Sequence, residues 1–291
     1  MTRPGRGLFV GLATLDVVQL VDRVPGADEK LTARDQVVAA GGPAANAAVA
    51  FAHLGGAARL VTAIGSHPLG QAVSADLERA SVSVTDLAGA SSAPPAVSSI
   101  LVTASSGERA VASTNATRHQ LIPPDDIDEL VAEYDIVEFD GHHMDLAVAT
   151  ARAARAAGRR TVLDGGSWKA GTEELLPFID VAVCSAGFRP PGSDDPLRFL
   201  REQGVAWAAV SRGGQPIEWE GPEGGGEVEV PAVRVVDTLG AGDVLHGALA
   251  HELADQGKVT SPGFVEALRR AAVVASRACT SFGTRAWMLR D

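Results

Sequence analysis

The second half of the chain alternates short apolar runs with longer segments of helical periodicity. The apolar runs are residues 136–139, 161–164, 181–184 and 206–211, and residues 146–157 are the first of the intervening helical patterns. Short apolar strands that alternate with helices are typical of a parallel sheet covered on both faces. The pattern therefore predicts an α/β fold with a doubly wound, mostly parallel sheet and helices on both faces.

Further strands are predicted in the first half. Residues 7–12 form a buried apolar run, and residues 17–24 and 35–38 could be short strands on either side of a polar loop. Residues 96–103 and 109–113 are rich in β-branched side chains and flank Ser-Ser-Gly-Glu, which predicts a hairpin with Gly107 in its turn. Glycine-rich residues 221–226, by contrast, are expected to form a surface loop.

Two glycine-rich turns lead into helical patterns. Residues 39–56 place Gly41 and Gly42 before an alanine-rich helix. Residues 235–253, VVDTLGAGDVLHGALAHEL, place a Gly-Ala-Gly turn between Asp237 and Asp243 and then continue as a helix. The first turn of a helix has unpaired backbone N–H groups and positive potential, so an anion is stabilised there. Asp243 could be that anion as an N-cap, or it could lie beside a bound anion and act on its neighbour.

The Gly-Ala-Gly turn suits chemistry on an anionic group. Gly240, Ala241 and Gly242 are small enough for backbone N–H groups to approach developing negative charge. Asp243 would then be placed to accept a proton from a hydroxyl held within hydrogen-bond distance. Phosphoryl transfer to an alcohol needs both parts at once.

Composition narrows the class of protein. A formal net charge of -11 argues against binding to nucleic acid or to an anionic membrane as the function. Two cysteines, Cys184 and Cys279, form no metal-binding spacing and fit a reducing compartment. The sequence contains no apolar run of the roughly 20 residues that a membrane span needs. We expect a cytoplasmic protein without nucleic-acid or membrane partners.

Four segments together resemble the ribokinase or PfkB family of carbohydrate kinases. They are DTLGAGD, GGPAANAAVAFAHLGG, GLATLDVVQLVDRVP and the hairpin around Gly107, and the match extends in order and spacing over nearly the whole chain. Among family members, GLATLDV and VVDTLGAGD are most similar to ketohexokinase-like proteins. The resemblance implies one kinase domain over residues 1–291, with a small β lid formed by segments near 17–38 and 96–113. It also implies ATP-dependent phosphoryl transfer to a hydroxyl of an unphosphorylated ketose or pentose.

The resemblance assigns roles by position. Asp243 falls on the general base, and Gly240, Ala241 and Gly242 fall on the anion hole. Residues for the sugar and for the nucleotide form two further groups. The sugar group is Asp16, Gly41, Gly42, Asn46 and Asn115, and the nucleotide group is Ser211, Gly213, Gly214, Asp237 and Thr238. The family also implies Mg²⁺ as counterion, and K⁺ near Asp237 in those members that use it; the ligands of the divalent metal stay unassigned.

One position departs from the family pattern. Many members carry Asn-x-x-Glu after the strand that here ends at Cys184, whereas Ser185 and Phe188 stand at those places. A phenylalanine cannot order metal-bound water, so we expect a weaker hold on Mg²⁺.

The sequence leaves the acceptor and the assembly state open. A nucleoside, a sugar acid or a catalytically silent sugar-binding role are alternatives. A phosphorylated sugar is less favoured because few cations are expected on the lid side, namely Arg34, Arg109, Arg118 and His119. Exposed lid strands often pair between subunits, so we expect a homodimer through the lid.

Overall fold

The computed structural model describes residues 3–115 and 121–289, so that Arg118 and His119 lie outside the described residues. The described strands are β1 (Arg6–Val10), β2 (Thr14–Val21), β3 (Asp35–Gly41), β4 (Ala57–Thr62), β5 (Val82–Asp86), β6 (Ala96–Thr103), β7 (Arg109–Ser113), β8 (Ile136–Phe139), β9 (Arg160–Gly165), β10 (Val181–Ser185), β11 (Trp207–Arg212), β12 (Gln215–Gly221) and β13 (Gly224–Val228). The described α-helices are α1 (Pro43–His53), α2 (Pro68–Arg79), α3 (Ile127–Ala132), α4 (Met144–Ala156), α5 (Thr172–Leu175), α6 (Pro196–Glu202), α7 (Ala241–Ala254) and α8 (Ser261–Ala278).

Nine strands form one large sheet. Their order is β13-β12-β11-β10-β9-β8-β1-β4-β5, and all neighbours from β11 to β5 are parallel. Strands β12 and β13 continue the sheet as antiparallel strands. The predicted mostly parallel α/β sheet is therefore confirmed. The loop predicted for residues 221–226 is wrong, because Gly224–Val228 pairs with β12 through its backbone even though few of its side chains pack.

Helices cover both faces of this sheet. Side chains of successive strand residues point to opposite faces. Phe9 of β1 therefore belongs to the apolar layer that includes α1, α7 and α8, whereas Leu8 and Val10 belong to the layer that includes α4 and α6. The two apolar layers leave the carboxyl ends of the parallel strands along one edge, where ligands bind in open α/β sheets. No helix in the described part of the chain is long and apolar enough to cross a membrane.

Helices α1 and α7 are in unusually close contact. A Cβ added at Gly247 of α7 would lie 2.2 Å from the backbone oxygen of Ala47 on α1. The backbone of α1 cannot move aside as the end of a flexible side chain can. Only glycine therefore allows the two helices to approach this closely. The contact fixes the spacing between the two helices that carry Asn46 and Asp243.

Gly247→Ala should lower the free energy of unfolding by about 1 to 3 kcal/mol, because the methyl group forces α1 and α7 apart. Urea denaturation monitored by circular dichroism would measure the change. Gly257→Ala is the matched control, since a Cβ there meets nothing within 4 Å. Equal unfolding midpoints for the two variants would contradict the steric argument.

A second, smaller sheet has the order β3-β2-β6-β7. Its strands cover the segments predicted near 17–38 and 96–113, although the first pair extends outward to Thr14 and Gly41. Val18, Ile100 and Val102 of its inner face pack against Leu239 and Phe282. The inner face of the small sheet therefore lies next to the Gly-Ala-Gly turn. That the small sheet acts as a lid stays a prediction.

Candidate active site

Helix α7 begins at Ala241, with Gly240 as its N-cap in the left-handed region at φ 72°. Asp243 lies in the first turn, three residues after the N-cap. Its Oδ2 accepts a hydrogen bond of 2.7 Å from Nδ2 of Asn46 on α1. Of the two alternatives that the sequence left open, the N-cap interpretation of Asp243 is wrong, and the carboxylate faces a polar side chain from another helix.

Asn46 is held in one orientation by Arg285, which follows α8. One guanidinium nitrogen of Arg285 donates to Oδ1 of Asn46 over 2.9 Å, and another donates to the backbone oxygen of Ala40 over 2.8 Å. Because the amide oxygen accepts from arginine, the amide nitrogen is left to donate toward Asp243. Sequence reasoning missed Arg285, since no local pattern relates it to a helix that begins more than 200 residues earlier.

Asp16 lies at the base of the small sheet and is buried. Its Oδ1 accepts a 2.5 Å hydrogen bond from Thr14. A Cβ added at Gly41 would lie 1.9 Å from Oδ2 of Asp16, so the first glycine of the pair lets this carboxylate lie against backbone. Gly42 adopts φ 94° and is the N-cap of α1. Asp16, Gly41, Gly42 and Asn46 thus meet where the small sheet joins α1.

Burial dominates the electrostatics of the two carboxyl groups. It raises the pKa of Asp16, with hydrogen bonds from Thr14 and Ser98 acting in the opposite direction. Burial, followed by the charge of Asp164, raises the pKa of Asp243 to about 6, while Asn46, His246 and Arg109 act to lower it. Thr14 and Ser98 are further polar residues of this region that sequence reasoning missed. Asp243 therefore has the basicity of a group that can exchange protons near neutral pH.

Asp237 and Thr238 connect the site to neighbouring loops. The Asp237 carboxylate accepts hydrogen bonds from the backbone N–H groups of Leu239 and Gly283, at 2.8 and 2.9 Å. The Thr238 hydroxyl donates to the backbone oxygen of Gly107 over 3.2 Å and accepts from Arg109 over 3.0 Å. The hairpin turn of the small sheet therefore contacts the segment that leads into the Gly-Ala-Gly turn.

The predicted nucleotide residues lie farther along the sheet edge. Ser211 is near the end of β11, and Gly213 and Gly214 form the turn to β12, with Gly213 at φ 63°. A Cβ at Gly213, Gly214 or Gly242 would meet nothing within 4 Å, so these backbones face open space. Asn115, by contrast, follows β7 with an exposed side chain, and its backbone N–H donates to the Ser113 hydroxyl.

The two residues that depart from the family pattern are a core phenylalanine and a partly exposed serine. Phe188 is 1% exposed and packs edge-to-face on Trp168, with ring centroids 5.4 Å apart. The Ser185 hydroxyl donates to the backbone oxygen of Gly166 over 2.6 Å. Replacing Phe188 with glutamate would therefore bury a carboxyl group in an apolar layer and would not restore the missing carboxylate to the site.

One protein family matches nearly the whole chain. The family model described as "pfkB family carbohydrate kinase" matches residues 7–290. An ATP-dependent ribose-1-phosphate kinase from Halopiger xanaduensis is 31% identical over 250 residues, which cover 82% of this chain and 81% of that protein.

Solved structures show the same fold. An Agrobacterium tumefaciens protein described as a ribokinase superposes with a TM-score of 0.82 at 26% identity, covering 99% of this chain and 100% of that one. Arabidopsis thaliana ribokinase in complex with ribose and ATP gives a TM-score of 0.73 at 21% identity, with coverages of 97% and 94%. The narrower similarity to ketohexokinase-like members stays a prediction. The chain belongs to the pfkB family of carbohydrate kinases, and it is an ATP-dependent sugar kinase with a ribokinase-like fold.

Proposed function

We propose that this kinase transfers the γ-phosphoryl group of ATP to a hydroxyl of an unphosphorylated pentose or ketose, with Asp243 as general base. The observation that carries the proposal is the placement of Asp243. It is a half-buried carboxylate in the first turn of α7, directly after the Gly-Ala-Gly turn, and it accepts a hydrogen bond from Asn46. Phosphoryl transfer to an alcohol requires a base for the hydroxyl proton next to backbone N–H groups that stabilise the charge of the phosphoryl group.

In the proposed reaction, Asp243 accepts the proton of the sugar hydroxyl. The hydroxyl oxygen forms a bond to the γ-phosphorus, the bond from phosphorus to the β–γ bridging oxygen breaks, and ADP leaves with that electron pair. Backbone N–H groups of Gly240, Ala241 and Gly242, at the positive end of α7, stabilise the negative charge on the transferring group.

The sugar would bind at the end of the site where the small sheet joins α1. Asp16 and Asn46 there offer acceptors and donors to sugar hydroxyls, and Gly41 and Gly42 allow close approach. Asn115 is proposed as an additional sugar contact from the small sheet. ATP would lie toward Ser211, Gly213 and Gly214, with its phosphates near Asp237 and Thr238.

The metals are part of the proposal. Mg²⁺ would be held largely by the ATP phosphates. Because Phe188 stands where many family members have a glutamate, one carboxylate that would orient the metal-bound water is missing. K⁺ fits the segments around Asp237, where a buried carboxylate, the Ser281 hydroxyl and loop carbonyls are oxygen donors. Ser281 Oγ is buried without a protein hydrogen-bond partner among the described residues, which is consistent with such a role.

We also propose that the small sheet is a lid and that it joins two subunits. Val17, Val38 and Leu101 alternate with the inner-face residues, and Val38 is 51% exposed. Pairing of two such faces would cover them. Light scattering should then give twice the 29.9 kDa chain mass, and Val38→Lys should shift the mass toward that of one chain.

A phosphorylated pentose is the second candidate acceptor. The relative named as a ribose-1-phosphate kinase favours it, as does Arg109, whose charge acts on Asp243 from the small sheet. Arg34, in contrast, lies in the connection between β2 and β3, where its exposed side chain pairs with Asp22.

A substrate panel would test both candidates. Ribose, deoxyribose, fructose, ribose 1-phosphate, a sugar acid and a nucleoside would be assayed with ATP by coupled ADP release. The proposal expects the highest kcat/KM for a neutral sugar. Arg109→Ala should change that value little at pH 8, which is above the pKa of Asp243. Preference for ribose 1-phosphate, lost in Arg109→Ala, would favour the second candidate, and no turnover with any acceptor would contradict both.

The raised pKa of Asp243 makes a pH prediction. A general base must be unprotonated, so kcat/KM should be constant at neutral pH and should fall about tenfold per unit below the pKa of about 6. Initial rates at low sugar concentration from pH 4.5 to 8 would measure this. A profile that stays flat down to about pH 4.5 would indicate that Asp243 does not titrate as the essential base.

A further inference from the structure

Arg285 lies between two segments that are proposed to bind the sugar. Its guanidinium group donates to the amide oxygen of Asn46 on α1 over 2.9 Å and to the backbone oxygen of Ala40 over 2.8 Å. Ala40 is in β3, directly before Gly41, and its backbone N–H donates to Asp76 on α2 over 2.9 Å. The Asp76 carboxylate also lies 3.9 Å from the guanidinium group. One half-buried side chain therefore joins the end of β3 to α1.

The chemistry of the guanidinium group fixes the direction of the Asn46 amide. An arginine side chain only donates hydrogen bonds, so the Asn46 atom that it contacts must be the amide oxygen. The amide nitrogen then faces the other way, where one of its N–H groups donates to Oδ2 of Asp243 over 2.7 Å. The second N–H group of the same nitrogen is left for the sugar.

The hydrogen bond between Asn46 and Asp243 borders the Gly-Ala-Gly turn. A Cβ added at Gly240 would lie 3.6 Å from Nδ2 of Asn46 and 3.6 Å from Oδ2 of Asp243. Because Oδ2 already accepts from Asn46, Oδ1 of Asp243 is the oxygen left to accept the hydroxyl proton. The direction of one amide group therefore decides how the proposed base meets the sugar.

We propose that Arg285 is a positioning residue for phosphoryl transfer, because it holds the Asn46 amide with its nitrogen toward Asp243 and the sugar. Asn46 then donates to a hydroxyl of the bound sugar, and Asp16 accepts from that hydroxyl. This arrangement selects a group that donates and accepts at once, as a hydroxyl does and a carbonyl or ether oxygen does not. The inference rests on the proposed roles of Asp243 as general base and of Asp16 and Asn46 as sugar contacts.

A purely structural arginine would hold β3 against α1 without acting on the reaction. Arg160 is an arginine of that kind. Its guanidinium group donates to the backbone oxygens of Gln256 and Gly257, over 3.1 and 2.6 Å, just beyond the C-terminal end of α7. Arg160→Met is therefore the matched control, which should lower the free energy of unfolding and leave the kcat/KM for sugar at the wild-type value.

A double-mutant cycle between Arg285 and Asn46 separates the two roles. The assay is coupled ADP release with the neutral sugar of highest kcat/KM in the substrate panel. Arg285→Met should lower this kcat/KM by about 10- to 100-fold, because loss of a hydrogen bond from a charged group frees the amide to turn. Both kcat and the KM for sugar should change, whereas the KM for ATP should not. In an Asn46→Ala background, Arg285→Met should change kcat/KM by less than about twofold, because the amide through which it acts is missing.

Equal losses in the two backgrounds would overturn the proposal, since Arg285 would then act independently of Asn46. A wild-type kcat/KM in Arg285→Met would overturn it as well. Rates would be measured at about pH 8.5. This is well above the pKa of Asp243, which is about 6, so that removing the charge of Arg285 changes the protonation of the base little.

A measurement on the wild-type enzyme covers the case in which Arg285→Met fails to fold. Neutron diffraction from crystals of the resting enzyme, grown in D₂O, would locate the two deuterons of the Asn46 amide. One of them should point at Asp243, and the amide oxygen should accept from Arg285. An amide oxygen turned toward Asp243, or the absence of contact between Arg285 and Asn46, would overturn the proposal without any assay of activity.

Asp243→Asn distinguishes failure of this inference from failure of the proposed function. If that variant turns over sugar normally, Asp243 is not the base and the proposed function fails. If it is inactive while the losses from Arg285→Met and Asn46→Ala simply add, the proposed function stands and the inference about Arg285 fails.

Discussion

Asp243→Asn should lower kcat by about 10²- to 10⁴-fold while preserving the fold and the affinity for sugar. Asparagine has nearly the same shape, and its Oδ1 can still accept the hydrogen bond that Nδ2 of Asn46 now donates to the carboxylate. It cannot accept the proton of the sugar hydroxyl. Single-turnover measurement of sugar phosphate formation would isolate the chemical step, and calorimetry would report sugar binding.

The same substitution at Asp255 is the matched control for this prediction. Asp255 is the exposed C-cap residue of α7, at the opposite end of the helix from the site. Asp255→Asn should have wild-type kcat. Near-wild-type turnover in Asp243→Asn would remove the general base from the mechanism, even though the family assignment would be unaffected.

Asp16→Ala should weaken sugar binding by about 10- to 100-fold, because hydrogen bonds to a charged group contribute about 1.5 to 3 kcal/mol each. Asp16 is buried at the base of the small sheet, so its hydrogen bonds to a sugar would face little competition from water. Affinity for ATP should change less than about twofold, since the nucleotide residues lie elsewhere along the sheet edge. Calorimetric titrations with sugar and with ATP would measure the two affinities separately.

Asp35→Ala provides the control for Asp16→Ala. Asp35 is on β3 of the same sheet, but it is exposed and accepts a hydrogen bond from the adjacent backbone N–H of Gln36. Both affinities of this variant should match those of wild type. If Asp16→Ala lowered ATP affinity and left sugar affinity unchanged, the two ends of the proposed site would be reversed.

Much of the fold could be predicted because apolar residues, which become buried, recur along the chain with the period of the strand or helix that they form. Strands Ala96–Thr103, Arg109–Ser113 and Ile136–Phe139 have the bounds that the pattern predicts, since apolar side chains and turn residues mark where each strand begins and ends. The strand Gly224–Val228 was missed because its pairing depends on backbone hydrogen bonds with β12. Glycine-rich backbone gives no periodic signal in side-chain polarity.

The sequence by itself determined the α/β class, the two glycine turns, the family, and the identity of Asp16, Asn46 and Asp243 as candidate site residues. It did so because these features depend on local periodicity and on short motifs. Tertiary structure alone decided what those side chains touch. The Asn46–Asp243 hydrogen bond joins residues 197 apart in the chain, and the bond between Arg285 and Asn46 joins residues 239 apart. His246 pairs with Asp164 in the same way, across layers of the fold. A buried polar side chain needs a hydrogen-bond partner. No local sequence pattern identifies that partner, because the packing of the helices on the sheet determines which side chains meet.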